Sequence, residues 1–256
     1  MALSLDLQGK LALVTGATGD LGRVMARTLA SAGADIAVHY HQNAFKADEL
    51  CAEINALGRR TMPISGDVGT REDVFSMRDA IRTELGDPQI IVANAVSQIF
   101  PWETVLDEEL SDYEDQFRSC ILQNVLLAKA FVPTMIESVY GRYIGINTEC
   151  AMQLKPTQSA YAAAKRGMDG VLRVLAKEVG QHQITVNQVA PGYTISDRDR
   201  EAGTEHNASY ESTVPLARRG TDQEIENVVA FLASDLASYI TGAYVPVCGG
   251  NVIATI

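Results

Sequence analysis

The feature that most constrains this chain is an alternation of short apolar runs with longer amphipathic ones. LALVT (11–15), DIAVHY (35–40), TMPISGD (61–67), QIIVANA (89–95), RYIGIN (142–147), ITVNQVAPG (184–192) and AYVPV (243–247) have strand length and strand composition. Between them lie stretches with helical periodicity: LGRVMARTLASAG, AFKADELCAEINAL, REDVFSMRDAIRTELG, most of 107–138, SAYAAAKRGMDGVLRVLAKEVG and 222–235. Gly33, Gly58 and Gly86 close the first three, where a helix end favours glycine. Strands joined through helices need crossover connections. The expected architecture is therefore α/β, with a mostly parallel seven-stranded sheet and helices on both faces. LALV, QIIVA and ITVNQV are apolar at nearly every position, as strands covered on both faces must be. One doubly wound domain is expected over residues 1–256. The polar span 194–213 lacks clear periodicity and reads as a substrate loop, with bounds near 193–218.

Charge and cysteine usage exclude several function classes. The net charge is −11, which disfavours nucleic-acid binding, a task for clustered Lys and Arg. No run reaches the roughly 18 apolar residues of a membrane span, so no membrane association is expected. MALSLDLQGKLALV has no basic start and is not expected to be a signal peptide. The four cysteines and four histidines have no metal-ligand spacing, so reduced thiols, a cytoplasmic setting and no metal are expected. Asn207-Ala-Ser209 matches a glycosylation sequon and is read as chance.

Two stretches carry chemistry. TGATGDLG, Thr15–Gly22, lies between an apolar run and a helical one. Gly16, Gly19 and Gly22 permit close backbone approach to a phosphate, and the helix start presents free N–H groups. Asp20 puts a carboxylate in that loop. Asp20 is expected to cap the helix, to face solvent or to repel a pyrophosphate, with Arg23 offsetting part of the charge. The second stretch is Tyr161-Ala-Ala-Ala-Lys165. Its Tyr and Lys share a helix face, and the ammonium is expected to lower the phenol pKa, giving a usable acid or base.

On this scaffold and in this order, these stretches resemble the short-chain dehydrogenase/reductase family. The likeness includes Asp67-Val68, Ala93-Asn94-Ala95, VAPG (189–192) and the tail from Arg218 to Gly250. The chain looks most like the compact branch that includes 3-oxoacyl-carrier-protein reductases. The resemblance implies a Rossmann domain and hydride transfer between nicotinamide and a carbonyl or secondary alcohol, in the reductive direction. Tyr161 would be the acid/base. Lys165 would hold the nicotinamide ribose, and Thr148, in the family's serine position, would orient the substrate. Cys120 stands where the family has a catalytic asparagine. Gln123 and Asn124 are expected to face elsewhere. The implied cofactor contacts are Gly16, Thr18, Gly19, Asp20, Leu21, Gly22, His41, Asp67, Val68, Asn94, Tyr161, Lys165, Pro191 and Gly192. Val96 replaces a glycine beside the ribose.

The second strand ends His39-Tyr40-His41-Gln42-Asn43 without an acid, so NADP(H) is preferred, with NAD(H) permitted. The partners implied are a small carbonyl compound and further copies of the chain, as a homo-tetramer or dimer. Phe100, Trp102, Met152, Tyr193 and Tyr210 are candidates for an apolar pocket. Because Asp20, Val96, Cys120 and Thr148 all depart from the pattern, a second reading stands beside the enzyme: a non-catalytic, nucleotide- or partner-binding member of the family.

Overall fold

The structure is a computed structural model, and it describes residues 5–97 and 99–253. The apolar runs form β1 (Leu11–Val14), β2 (Asp35–Tyr40), β3 (Thr61–Ser65), β4 (Ile90–Ala93), β5 (Gly141–Ile146), β6 (Ile184–Pro191) and, after a small pair described below, β9 (Tyr244–Val247). The helices between them are α1 (Asp20–Ser31), α2 (Ala44–Ala56), α3 (Arg71–Glu84), α4 (Leu110–Gln116), α5 (Gln123–Ser138), α6 (Cys150–Gln153) and α7 (Ser159–Val179). The seven strands form one sheet in the order β3-β2-β1-β4-β5-β6-β9, and every neighbouring pair is parallel. β1 and β4 lie side by side although α1, β2, α2, β3 and α3 separate them in sequence. The strand order reverses there, so their carboxyl ends open a crevice suited to a ligand.

The two faces of the sheet bury separate cores. Val14, Met25, Leu29, Ile36, Leu50 and Ile225 pack on one face. Leu13, Met77, Ile91, Phe131, Tyr143 and Leu172 pack on the other. Successive strand residues point to opposite faces, which explains why β1 and β4 are apolar throughout.

Two expectations need correction. The span 194–213 is not structureless. It contains β7 (Thr194–Ile195), α8 (Asp197–Ala202) and α9 (Ala208–Glu211). β7 pairs in parallel with β8 (Gly220–Thr221), just before α10 (Asp222–Ala233). Elements this short leave no periodicity to read. They are fixed by caps instead: Ser196 and Asp199 form a capping box on α8, and Asn207 caps α9. Secondly, the helical stretch within 107–138 is not uniform, because a π-helical turn, Phe117–Leu122, joins α4 to α5. The combined helix Leu110–Ser138 is long and apolar enough to span a bilayer by length and composition. Here its apolar side chains Leu127, Phe131 and Met135 pack inside the domain, as a core helix requires.

Candidate active site

A cavity of about 1120 Å³ runs along the carboxyl ends of the strands, from the glycine loop to Tyr161. Each cofactor-side residue expected from the sequence lines it: Gly16, Thr18, Gly19, Asp20, Leu21, Gly22, His41, Asp67, Val68, Asn94, Pro191 and Gly192. Val96 lines it as well.

The glycine loop is held by Thr15 and His39, which the sequence reading gave no role, together with Asn94. Thr15 is fully buried at the end of β1. Its Oγ1 accepts the N–H groups of Asn94 (2.9 Å) and Ala95 (3.0 Å) and donates to Gln123 Oε1 at 2.8 Å. Asn94 braces the loop, its amide donating to the carbonyls of Thr15 and Gly16. His39 sits beneath it. The Gly16 N–H donates to His39 Nδ1 at 2.9 Å, so that nitrogen is bare, and Nε2 faces the Gly66 carbonyl at 3.0 Å as a donor. Burial pulls the His39 pKa from 6.5 down to about 4, leaving a neutral ring. The Asp67 carboxylate accepts the Gly69 N–H at 2.7 Å.

The loop fits a diphosphate. Gly19, not Asp20, is the N-cap of α1, and no side chain caps that helix start. A Cβ on Gly22 would overlap the Gly16 carbonyl and come within 2.9 Å of Ala17 Cα. The loop therefore needs its glycines to lie flat against the helix. Asp20 opens α1 and pairs with Arg198 of α8 at 3.5 Å. Arg23 pairs with Asp197. At the outer end, Gln42, Asn43 and Lys46 join His41 in the wall. Lys46 is a cation that the sequence reading missed, because it stands on the first turn of α2 and not at the end of β2.

The other end brings Thr148, Tyr161 and Lys165 together. Thr148 follows β5, where its Oγ1 accepts the Cys150 N–H at 3.2 Å and its carbonyl accepts the Tyr244 hydroxyl at 2.6 Å. Tyr161 and Lys165 lie on the face of α7 turned to the cavity. Lys165 Nζ donates to the Ile146 carbonyl at 2.6 Å and lies 5.8 Å from the Tyr161 ring centroid. Contrary to expectation, the Tyr161 pKa is raised. Burial is the main cause, the nearby Cys150 and Cys120 thiols add to it, and a hydrogen bond with Thr148 opposes it.

Cys120 is fully buried in the π turn and is not among the cavity-lining residues. Its thiol has Gln116 Oε1 at 3.6 Å as a weak partner. Gln123 does turn away, to Thr15 and Ala95. Asn124 is a partial exception: its Oδ1 accepts from Tyr143, but its amide reaches back to the Cys120 carbonyl at 2.6 Å. Asn147 is committed too, donating to Gln188 and to the Lys165 carbonyl. Of the apolar-pocket candidates, Tyr193 lines the cavity and Trp102 meets Tyr161 edge-on, with centroids 5.7 Å apart. Tyr210 packs edge-on against Tyr193. Phe100 is largely exposed, and Met152 lies beside Arg166.

A glycine-loop crevice that leads to a Tyr–Lys pair and a hydroxyl has the arrangement of a nicotinamide-dependent oxidoreductase. Comparison with known proteins agrees. The profile of the family described as "Enoyl-(Acyl carrier protein) reductase" matches residues 16–251. The 3-oxoacyl-[acyl-carrier-protein] reductase FabG of Pseudomonas aeruginosa is 36% identical over 247 residues, 96% of this chain and 98% of that protein. FabG of Escherichia coli strain K12 is 37% identical over the same share of each chain. Among solved structures, a 7α-hydroxysteroid dehydrogenase complexed with NADH and 7-oxo glycochenodeoxycholic acid superposes with a TM-score of 0.88 at 27% identity, covering 97% of this chain and 96% of that one. The promiscuous keto-reductase LugOII superposes at 0.86 and 30% identity, covering 96% and 99%. The chain belongs to the short-chain dehydrogenase/reductase family. It is an NAD(P)(H)-dependent oxidoreductase acting between a carbonyl and a secondary alcohol. The comparisons give the non-catalytic reading no support.

Proposed function

We propose that the protein is an NADP(H)-linked reductase of a small carbonyl compound with an apolar body, with Tyr161 as proton donor. One observation carries this reading: Thr148 and Tyr161 share the inner end of the cavity whose outer end is the glycine loop. When bound, the nicotinamide supplies the hydride. Thr148 Oγ1 and the Tyr161 hydroxyl point a substrate oxygen toward Tyr161, which gives up its proton as that oxygen gains charge. Tyr161 holds its proton at neutral pH, as a donor to a developing alkoxide must. Lys165, behind the ring, supplies a positive charge that stabilises the phenolate once it forms. Trp102 and Tyr193 support an apolar substrate body. The exposed Phe117 and Val174, on the long helices, support assembly of two or four copies through those faces.

The absence of an acid beside His41 and the presence of Lys46 support the 2′-phosphorylated cofactor. The experiment is a fluorescence titration with NADPH and NADH, followed by NADPH consumption with 3-oxoacyl thioesters, oxosteroids and simpler ketones. NADPH should bind the tighter. Lys46→Glu should weaken NADPH by about tenfold while moving NADH by less than about twofold. Equal affinities in the wild type, or equal losses in the variant, would overturn the cofactor assignment. Failure of the whole panel to consume NADPH would count against the substrate class.

A further inference from the structure

Asp20 puts a negative charge where a diphosphate would sit. It is the first residue of α1, whose N–H groups turn towards the cavity with no side chain capping them. A diphosphate on those groups meets the Asp20 carboxylate at close range, and two like charges there oppose binding. Among the described residues that line the cavity, the Lys and Arg side chains are Lys46, Arg118, Lys165 and Arg198. Lys165 is held at the inner end by the Ile146 carbonyl, and Arg118 lies in the π turn beside Gly69. Lys46 stands at the outer end, on the first turn of α2. Arg198 is the one paired with Asp20, its Nη2 lying 3.5 Å from Asp20 Oδ2.

Three observations show that this pair is loose while its setting is fixed. The contact is long, because a guanidinium and a carboxylate in full contact approach to about 2.8 Å. The Arg198 side chain is 84% exposed, and among the described residues no other acceptor takes its guanidinium. The arginines around it are committed: Arg23 to Asp197, Arg200 to Asp197 and Asp222, and Arg219 to Asp199. The backbone that carries Arg198 is held on both sides, by the capping box of Ser196 and Asp199 and by the Arg200–Asp222 pair. Arg198 also lines both the main cavity and a smaller one of about 210 Å³, and Thr18, Gly19, Asp20 and Lys46 line both as well. Its guanidinium therefore borders the glycine loop and reaches a diphosphate by side-chain rotation alone.

We propose that Arg198 is a cofactor-binding residue, whose guanidinium holds the dinucleotide's diphosphate from the α8 side and cancels the charge that Asp20 places in the glycine loop. The inference rests on the glycine loop taking that diphosphate, and on neither the 2′-phosphate nor the carbonyl chemistry. Arg198 and Lys46 then have separate tasks. Lys46 distinguishes NADPH from NADH, whereas Arg198 acts on the diphosphate that both cofactors carry. A guanidinium suits that task, because its fork of N–H donors meets two phosphate oxygens at once.

The test measures dissociation constants of NADPH, NADH and ADP-ribose by calorimetry for the full chain and four variants. ADP-ribose has the diphosphate but neither nicotinamide nor 2′-phosphate. Arg198→Ala should weaken all three ligands by one common factor of about tenfold, and Arg198→Lys, which keeps the charge, should stay within about threefold of wild type. Asp20→Asn should tighten all three by about threefold. The double variant Asp20→Asn/Arg198→Ala should return to within about threefold of wild type, because the two charges act on the diphosphate with opposite sign. Raising the salt from about 0.05 M to about 0.5 M should shrink the Arg198→Ala loss, since exposed charges are screened. Melting temperatures should match wild type throughout, because an exposed pair contributes little to folding. A loss confined to NADPH, Arg198→Ala affinities within about twofold of wild type, or weaker binding by Asp20→Asn would each overturn the proposal. Equal wild-type affinities for NADPH and NADH would count against the NADP(H) preference while leaving this inference standing, so the two fail separately.

Discussion

His39, near the carboxyl end of β2, works as a clamp, joining the glycine loop to the turn after β3. That role requires a neutral ring, and the fold lowers its pKa from 6.5 to about 4. A depressed pKa means that the folded state binds fewer protons than the unfolded chain between those values. The stability it contributes is present above about pH 6.5 and is lost as pH falls through about 4, amounting to about 3 kcal/mol at most. Denaturant titrations at pH 7, 5.5 and 4 should show this acid limb in wild type and a flatter one in His39→Gln; parallel profiles would contradict it. Glu226 on α10 has the opposite sign. It is fully buried with both oxygens unpartnered, and burial, with Asp222 nearby, pushes its pKa up to about 9. A raised pKa gives stability that is present below about 4.5 and lost as pH rises through about 9. Glu226→Leu should therefore stabilise the protein at pH 7 by about 2 kcal/mol and remove the alkaline decline in melting temperature. A variant less stable than wild type at pH 8 would mean that this carboxylate has a partner. Neither role was legible in the sequence. A histidine inside DIAVHY and a glutamate inside a helix acquire these properties only from residues far away in the chain.

The elements themselves were largely legible. Runs apolar at every position have one stable use in a chain of this size, which is a parallel sheet covered on both faces. The glycine loop was equally plain, because LALV leads straight into an amphipathic helix. Its spacing also carries an element-scale prediction. The first turn of α1 presses on the loop, and a methyl on Gly22 would overlap the Gly16 carbonyl, which is backbone and has no rotamer to yield. Gly22→Ala should lower stability by about 1–3 kcal/mol and weaken NADPH binding, as checked by melting and titration. An unchanged dissociation constant would show that loop and helix separate freely. What periodicity missed is what departs from it. The π turn at Phe117–Leu122 lies inside a helical pattern, and β7, α8, α9 and β8 are each shorter than a readable period. Of the three readings of Asp20, only the helix cap fails, and its partner Arg198 could not be foreseen because it comes from that unread segment.

At the scale of the whole molecule, the domain is a sheet with one long crevice along its carboxyl ends, and residues within 193–199 form part of the wall of that crevice. The candidate site was legible because its parts stand at strand ends and on one helix face. The electrostatics were not. Periodicity places Lys165 beside Tyr161 but cannot show that burial raises the tyrosine pKa. Carbonyl reduction by a protonated Tyr161 is the central claim, and Tyr161→Phe tests it most directly. The ring and its contact with Trp102 remain while the transferable proton is removed. NADPH dissociation constants and the reduction rate for one carbonyl substrate should be measured side by side in wild type and variant. The dissociation constant should stay within about threefold while the rate falls by about 10²–10⁴. A rate within a few-fold of wild type, at unchanged NADPH affinity, would place the proton donor elsewhere and contradict the account.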